Sequence, residues 1–242
     1  MTHEHTETIE VRGGRGELSL RHGRVDTALL YEGEPVAMVW SPHGAGHGRT
    51  FVRAQDLGTL EEAHLLRHVG PGARLSAILR PVLARLEDGR YHLELLPSPE
   101  LEPDDGETSE AVPASGRFVD WAGLHEVADD EPLLIGTVPR DLLDRTLIED
   151  LARWIRDGGR PAVVVLDCEA DDVGFLVAGH AVLEAYRLAD RAPTVLRITA
   201  VSARHLPLRE GADLLTRAYE RIGHIVAAHY AATAGEAEKA TA

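Results

Sequence analysis

The sequence predicts an α+β protein, in which a mostly β N-terminal module precedes a small mixed α/β module with a terminal helix. Short runs of alternating apolar and polar residues fill residues 1–97, and an acidic stretch poor in apolar residues follows at 98–131. In residues 132–232, strand-like runs alternate with segments of helical periodicity. The last residues, 233–242, have the composition of a disordered tail. We therefore expect two modules joined by an acidic linker.

The first module begins with an antiparallel meander. Residues 1–10 are polar and should be frayed, with little order. Three alternating runs at 18–21, 25–31 and 35–40 are separated by turn-forming residues, and residues 50–53 should add one more strand. These spacings predict consecutive strands joined by short turns.

Two further segments complete this module. Thr59 and Glu62 form a capping box that should open an amphipathic helix. Residues 87–90 have turn composition between two alternating runs and predict a β-hairpin. A helix over residues 75–86 is the alternative for the first arm of this hairpin, but Pro81 argues against it.

The second module shows an alternation of strands and helices. The apolar and β-branched run at 162–166 is typical of a central strand that is buried on both faces. The predicted elements in order are a strand at 133–135, a helix through 147–155, strands at 162–166 and 175–177, a helix at 179–188, a strand at 194–201 and a final helix at 211–232.

Charge and composition exclude several classes of protein. The net charge is −15, and residues 98–131 carry eleven acidic side chains against one arginine, so nonspecific DNA binding is not expected. The longest apolar runs are far shorter than the roughly 20 residues that cross a bilayer, and the N-terminus has no apolar core. Cys168 is the only cysteine, which fits a reducing cytoplasm. We expect a cytoplasmic protein without a membrane segment.

Residues 148–201 contain several short sequence motifs in a recognisable order. A helix with Ile148-Glu149-Asp150-Leu151 ends at glycines, and a proline and an apolar strand follow at 160–165. A further strand runs into Gly179-His180, which opens a helix rich in alanine. In the order and composition of these motifs, the segment resembles the ParB/sulfiredoxin-like superfamily. The resemblance implies a fold in which a strand delivers a glycine to a helix N-terminus, where backbone N–H groups and the helix dipole attract a phosphate.

The resemblance directs attention to the Gly179-His180 turn as a ligand-binding site. The sequence leaves the cofactor open, with a nucleoside triphosphate and Mg²⁺ as one candidate. The family usually carries an Asp and one or two basic residues around this turn, whereas this chain has Ala178, Ala181 and Val182. The sequence therefore indicates a degenerate motif that lacks its charge clamp, and arginines from elsewhere would have to replace it. The candidates are Gly179, His180, Glu184, Arg160 and Arg187.

Metal chemistry has little support in the sequence. His43 and His47 lie in a glycine-rich loop that could approach an anion or share a metal, but no third ligand accompanies them at a characteristic spacing. Asp171-Asp172 more often forms a solvated hairpin tip than a magnesium site. We predict no metal site.

Three functions remain open at this point. The leading hypothesis is a non-catalytic regulatory or adaptor protein that binds a protein partner. The second is a nucleotide-dependent switch or small-molecule kinase with phosphate at Gly179-His180. The third is a protective partner for a toxin or nuclease, in which residues 98–131 cover a basic surface. Homodimerisation through the final helix is an alternative to a purely structural role for that helix.

Overall fold

The protein is an α+β fold built on two β-sheets. The structure, a computed structural model, describes residues 5–23, 26–40, 49–53, 74–96, 117–119, 123–127, 133–138, 143–170, 173–218 and 220. Its strands are β1 (His5–Val11), β2 (Leu18–His22), β3 (Asp26–Tyr31), β4 (Glu34–Trp40), β5 (Arg49–Arg53), β6 (Gly89–Leu96), β7 (Arg117–Val119), β8 (Gly123–Val127), β9 (Leu133–Gly136), β10 (Ala162–Cys168), β11 (Val173–Ala178), β12 (Thr194–Ala200) and β13 (Arg204–His205). Its helices are α1 (Leu75–Ile78), α2 (Arg80–Leu83), α3 (Arg145–Arg156) and α4 (His180–Ala189), with a final helical segment at 208–218.

Within the described residues, sheet A has seven strands in the order β1-β6-β12-β10-β11-β9-β7. Strands β10 and β12 are parallel, as are β11 with β9 and β9 with β7, whereas β1–β6, β6–β12 and β10–β11 are antiparallel. The central strand β10 is buried along residues 162–166, which confirms the prediction from its unbroken apolar run. Sheet A therefore combines strands from both ends of the chain.

Sheet B contains the predicted meander. Its order is β13-β2-β3-β4-β5-β8, and the neighbours from β2 to β5 are antiparallel, as expected. The last two strands at its edges come from later in the chain: β13 pairs with β2, and β8 pairs with β5. The meander is thus completed by segments that follow it by many residues.

The buried side chains form one large cluster and one small one. The large cluster includes Leu18 and Leu29 of sheet B together with Leu93 and Ile198 of sheet A. The small cluster lies on the other face of sheet B, where Ala28, Leu30 and Met38 pack against Leu206, Leu214 and Ala218. Segments 1–97 and 132–232 therefore share both sheets and the main core.

Most of the second module matches the predicted order. Helix α3 begins at Asp144, whose side chain accepts hydrogen bonds from the N–H groups of Thr146 and Leu147 at 2.8 and 3.3 Å. The final helix is described over 208–218 and begins before the predicted residue 211. Among the described residues, every helix is too short or too polar to cross a membrane.

Two predictions for the first module were wrong. The expected frayed start contains β1, because Ile9 and Val11 pack against the core and β6 pairs along the whole strand. The first arm of the expected hairpin is helical, as α1 and α2, and only the second arm is a strand. Pro81 lies in the first turn of α2. Backbone N–H groups in a first turn have no acceptor within the helix, so proline breaks no helical hydrogen bond there.

Several predicted features lie outside the described residues. These are the helix opened by Thr59, the loop with His43 and His47, residues 98–116, 120–122 and 128–131 of the acidic segment, and the tail at 233–242. Within the predicted linker, β7 joins sheet A and β8 joins sheet B. This part of the acidic segment therefore contributes one strand to each sheet.

The loop between β1 and β2 generates the first prediction. A Cβ on Gly14 would overlap the carbonyl oxygen of Leu86, whereas a Cβ on the adjacent Gly13, at φ 71°, would meet no atom within 4 Å. Gly13→Ala should cost only the strain of left-handed backbone, about 1–2 kcal/mol. Gly14→Ala should destabilise the protein by at least about 2 kcal/mol more, because backbone must move. Urea unfolding measures both, and equal losses would contradict this packing.

Candidate functional site

The turn between β11 and α4 has the geometry that the sequence predicts, in which a strand leads through a glycine into the start of a helix. Strand β11 is buried throughout and ends at Ala178. The next residue, Gly179, adopts the left-handed conformation at φ 85° and serves as the N-cap of α4. A residue with a Cβ is disfavoured in this conformation. Glycine therefore allows the chain to pass directly from a central strand into a helix that begins with His180.

His180 is a buried connection between α4 and the end of β9. Its side chain is almost fully buried, and Nε2 accepts hydrogen bonds from the backbone N–H groups of Thr137 and Val138 at 3.0 and 3.1 Å. The Thr137 hydroxyl lies 3.3 Å from Nε2 but donates its proton to the carbonyl of Leu176 at 2.6 Å. Because two donors face Nε2, this nitrogen carries no proton. It acts as an internal acceptor.

The acidic and basic candidates farther along α4 neutralise each other. Glu184 and Arg187 are one turn apart and form an ion pair of 3.1 Å. Their side chains are only 16% and 27% exposed, so solvent screens this pair less than a surface pair. The pair leaves no net charge on this side of the helix.

Arg160 lies near the other end of α4 from His180. Its side chain is exposed, and its Nη1 donates to the carbonyl of Gly159 at 3.3 Å. Its charge acts on Tyr186, which is six residues or about 9 Å along the helix axis from His180. The five candidates are thus divided between the two ends of α4.

Tyr186 and Thr137 are the residues that sequence reasoning missed. Tyr186 is fully buried, its hydroxyl donates to the carbonyl of Pro161 at 2.7 Å, and it lies 3.3 Å from the Thr194 hydroxyl. Burial raises the pKa of Tyr186 above its usual value. These bonds fix α4 to the starts of β10 and β12, just as His180 fixes it to β9. No local pattern in the sequence indicates either partner.

Metal ligands do not converge in the described part of the chain. No group of three or more His, Cys, Asp or Glu side chains there is arranged to hold a metal ion. Asp171-Asp172 and the two loop histidines lie outside the described residues. Cys168 is buried in the core.

Comparisons with known proteins returned no match among family models, curated proteins or solved structures. The likeness of residues 148–201 to the ParB/sulfiredoxin-like superfamily therefore remains a prediction from sequence.

Substitution of His180 tests its role as an acceptor. His180→Ala leaves the N–H groups of Thr137 and Val138 buried without this acceptor, and should cost about 2–4 kcal/mol of unfolding free energy. His180→Gln places an amide oxygen near the position of Nε2 and should recover at least half of that loss. Equilibrium urea unfolding measures both variants. Equal losses of unfolding free energy in the two variants would show that the acceptor atom of His180 does not stabilise the protein.

The buried phenols predict how stability depends on alkaline pH. Unfolded tyrosine loses its proton near pH 10, whereas burial raises the pKa of folded Tyr186 and raises that of Tyr91 to about 12. Because the native state holds these protons more tightly, stability should fall as pH rises above about 10. Tyr186→Phe should reduce the loss of unfolding free energy at alkaline pH. Adding Tyr91→Phe should reduce the loss that is left in the Tyr186→Phe variant. Urea unfolding across pH 8 to 11, at about half-unit steps, measures the unfolding free energy at each pH. If the variants show the same slope of free energy against pH as the unmodified protein, the loss does not come from these tyrosines.

Proposed function

We propose that this protein is a non-catalytic adaptor or regulatory protein that binds a protein partner and is built on a degenerate ParB-like fold. The observation that carries the proposal is the inward orientation of the His180 side chain, which is buried and bonded to the protein's own backbone. His180 offers its Nε2 lone pair to two backbone donors, and therefore presents no proton there to a phosphate.

The residues around the turn support this proposal. A phosphate site at a helix N-terminus needs free donors and, for tight binding, a cation beside them. Ala178 and Val182 are instead buried with 3% and 4% exposure and belong to the apolar core. Arg187, the nearest candidate cation on the helix, is paired with Glu184. These side chains around the turn are thus either part of the apolar core or paired with each other.

The charge of the chain favours a protein partner over a nucleic acid. The net charge of −15 opposes binding to phosphate backbones, which depends on cationic side chains. Eleven acidic side chains against one arginine at 98–131 would attract a basic protein surface and accelerate encounter. A toxin or nuclease with such a surface is a specific partner that this segment favours, with the present protein as its protective partner.

Thermal unfolding with nucleotides tests the proposal. We expect no change in melting temperature with ATP, GTP, CTP or UTP and Mg²⁺, because the candidate side chains in the described part of the chain do not form a charge clamp at the turn. A nucleotide bound only to the native state at 100 times its Kd would add about 2.7 kcal/mol, which for this chain length is a rise of roughly 5–10 °C.

A matched pair of variants decides the meaning of any rise. Gly179→Trp blocks the turn, and Gly158→Trp introduces the same side chain at another left-handed glycine, next to the end of α3. A rise that is lost in the first variant and kept in the second would replace the adaptor by a nucleotide-dependent switch or small-molecule kinase.

A further inference from the structure

Strand β1 is the longest of the strands that lie at the edges of the two sheets. Within the described residues, β6 is its only strand neighbour, on one side. The other edge strands are shorter: β7 has three residues, β8 has five and β13 has two, against seven in β1. An edge strand presents backbone N–H and C=O groups that can pair with another chain, and short length is one way in which proteins prevent this pairing. The edge of β1 lacks that protection.

Other features that protect an edge are also missing from β1. Its sequence, HTETIEV, contains no proline and no lysine, and it pairs with β6 along its whole length without a register shift. Glu7 projects to the same side as the core residue Ile9, but its carboxylate accepts hydrogen bonds from the N–H groups of Leu75 and Ser76 at 2.6 and 3.2 Å. The charge that would repel an incoming strand is therefore held by contacts within the molecule.

The two sides of β1 differ in polarity. Ile9 and Val11 pack against the main core on one side, yet both are only half-buried. Thr6, Thr8 and Glu10 alternate with them and are exposed on the other side. A further strand beside β1 would cover the two apolar side chains and pair with the backbone.

The sequence of β1 is complementary to itself in one antiparallel register. When two copies of β1 run antiparallel with Thr8 at the centre, all seven residues of each strand are paired. Thr8 then lies opposite Thr8 of the second copy, and Thr6 lies opposite Glu10. Glu7 lies opposite Ile9. No like charges are opposed within the strand, and two directly opposed threonines are a favourable pair.

The neighbouring registers are less favourable. Centring the pair on Glu7 or Glu10 would place two glutamates directly opposite each other, which is destabilising. Centring it on Thr6 or Ile9 would leave residues at one end of each strand without a partner in the other strand. Charge and length thus both select the register centred on Thr8.

We infer that two copies of this protein associate through their β1 edges, with Thr8 on the two-fold axis, so that sheet A continues from one copy into the other. The interface is isologous, because each copy contributes the same strand. Main-chain hydrogen bonds between the strands provide the affinity, as in other cases of strand addition. On the core-facing side, Ile9 of each copy lies diagonally opposite Ile9 of the other, about 7–8 Å away and within reach of a long side chain.

Cysteine cross-linking of the full-length chain tests this inference. In the register centred on Thr8, the Cα atoms of the two Thr8 residues are about 4.5–5.5 Å apart, which suits a disulfide. Thr8→Cys should therefore form covalent dimers under mild oxidation, seen on non-reducing gels. The one native cysteine, Cys168, is buried, so the unmodified chain should remain uncross-linked.

Thr6→Cys is the matched control on the same exposed side of β1. The two Thr6 residues are roughly 14 Å apart in this register, because four residues along the strand and the spacing between strands separate them. This variant alone should cross-link at least about tenfold more slowly than Thr8→Cys. Mixing Thr6→Cys with Glu10→Cys, whose positions are opposed, should restore the fast reaction. Equal rates for Thr8→Cys and Thr6→Cys would overturn the inference.

Sedimentation equilibrium gives a second, non-covalent measurement. The unmodified chain should dimerise with a Kd below about 100 μM. Thr6→Glu opposes glutamates in two symmetric pairs with Glu10 and should weaken dimerisation by about fivefold, whereas Thr6→Lys should strengthen it by a similar factor. Because Thr6 also lies opposite Glu94 within the molecule, urea unfolding of both variants measures that separate effect. Equal dimerisation by the two variants, or a monomer at every concentration up to about 1 mM, would overturn the inference.

Discussion

The pairing of β6 with β12 is the interaction on which the rest of the structure depends. It runs from Leu96 opposite Val195 to Tyr91 opposite Ala200 and attaches the N-terminal strands to the sheet that contains β10. The second half of the chain contributes to sheet B in turn, because β13 pairs with β2 and the helical residues 208–218 pack against that sheet. Neither sheet would be complete from one half of the sequence.

A second constraint determines what the Gly179-His180 turn can do. A helix N-terminus attracts anions only when its donors and nearby cations are available to them. Here α4 is fixed at one end by His180, which accepts from Thr137 and Val138, and at the other by Tyr186. Ala178 and Val182, on either side of the turn, belong to the apolar core. The proposed adaptor function follows from this use of the turn.

Local patterns predicted individual elements well, because strand and helix periodicities depend only on nearby residues. The meander, the buried β10, and helices α3 and α4 were all evident in this way. The long-range pairing of β1 with β6 and of β6 with β12 was not, since many apolar runs could serve as neighbours. The same reason explains the site: Gly179 and His180 were found from adjacent residues, whereas Thr137 is 43 positions from His180 and carries no distinguishing signal.

The protonation state of His180 tests the central claim most directly. Long-range ¹⁵N–¹H correlation spectra of the imidazole distinguish a protonated from an unprotonated Nε2. The account predicts an unprotonated Nε2 at neutral pH, with a resonance that does not change when Mg²⁺ and ATP are added. A protonated Nε2, or a resonance that moves as nucleotide saturates, would mean that the ring is available to a ligand and would contradict the account.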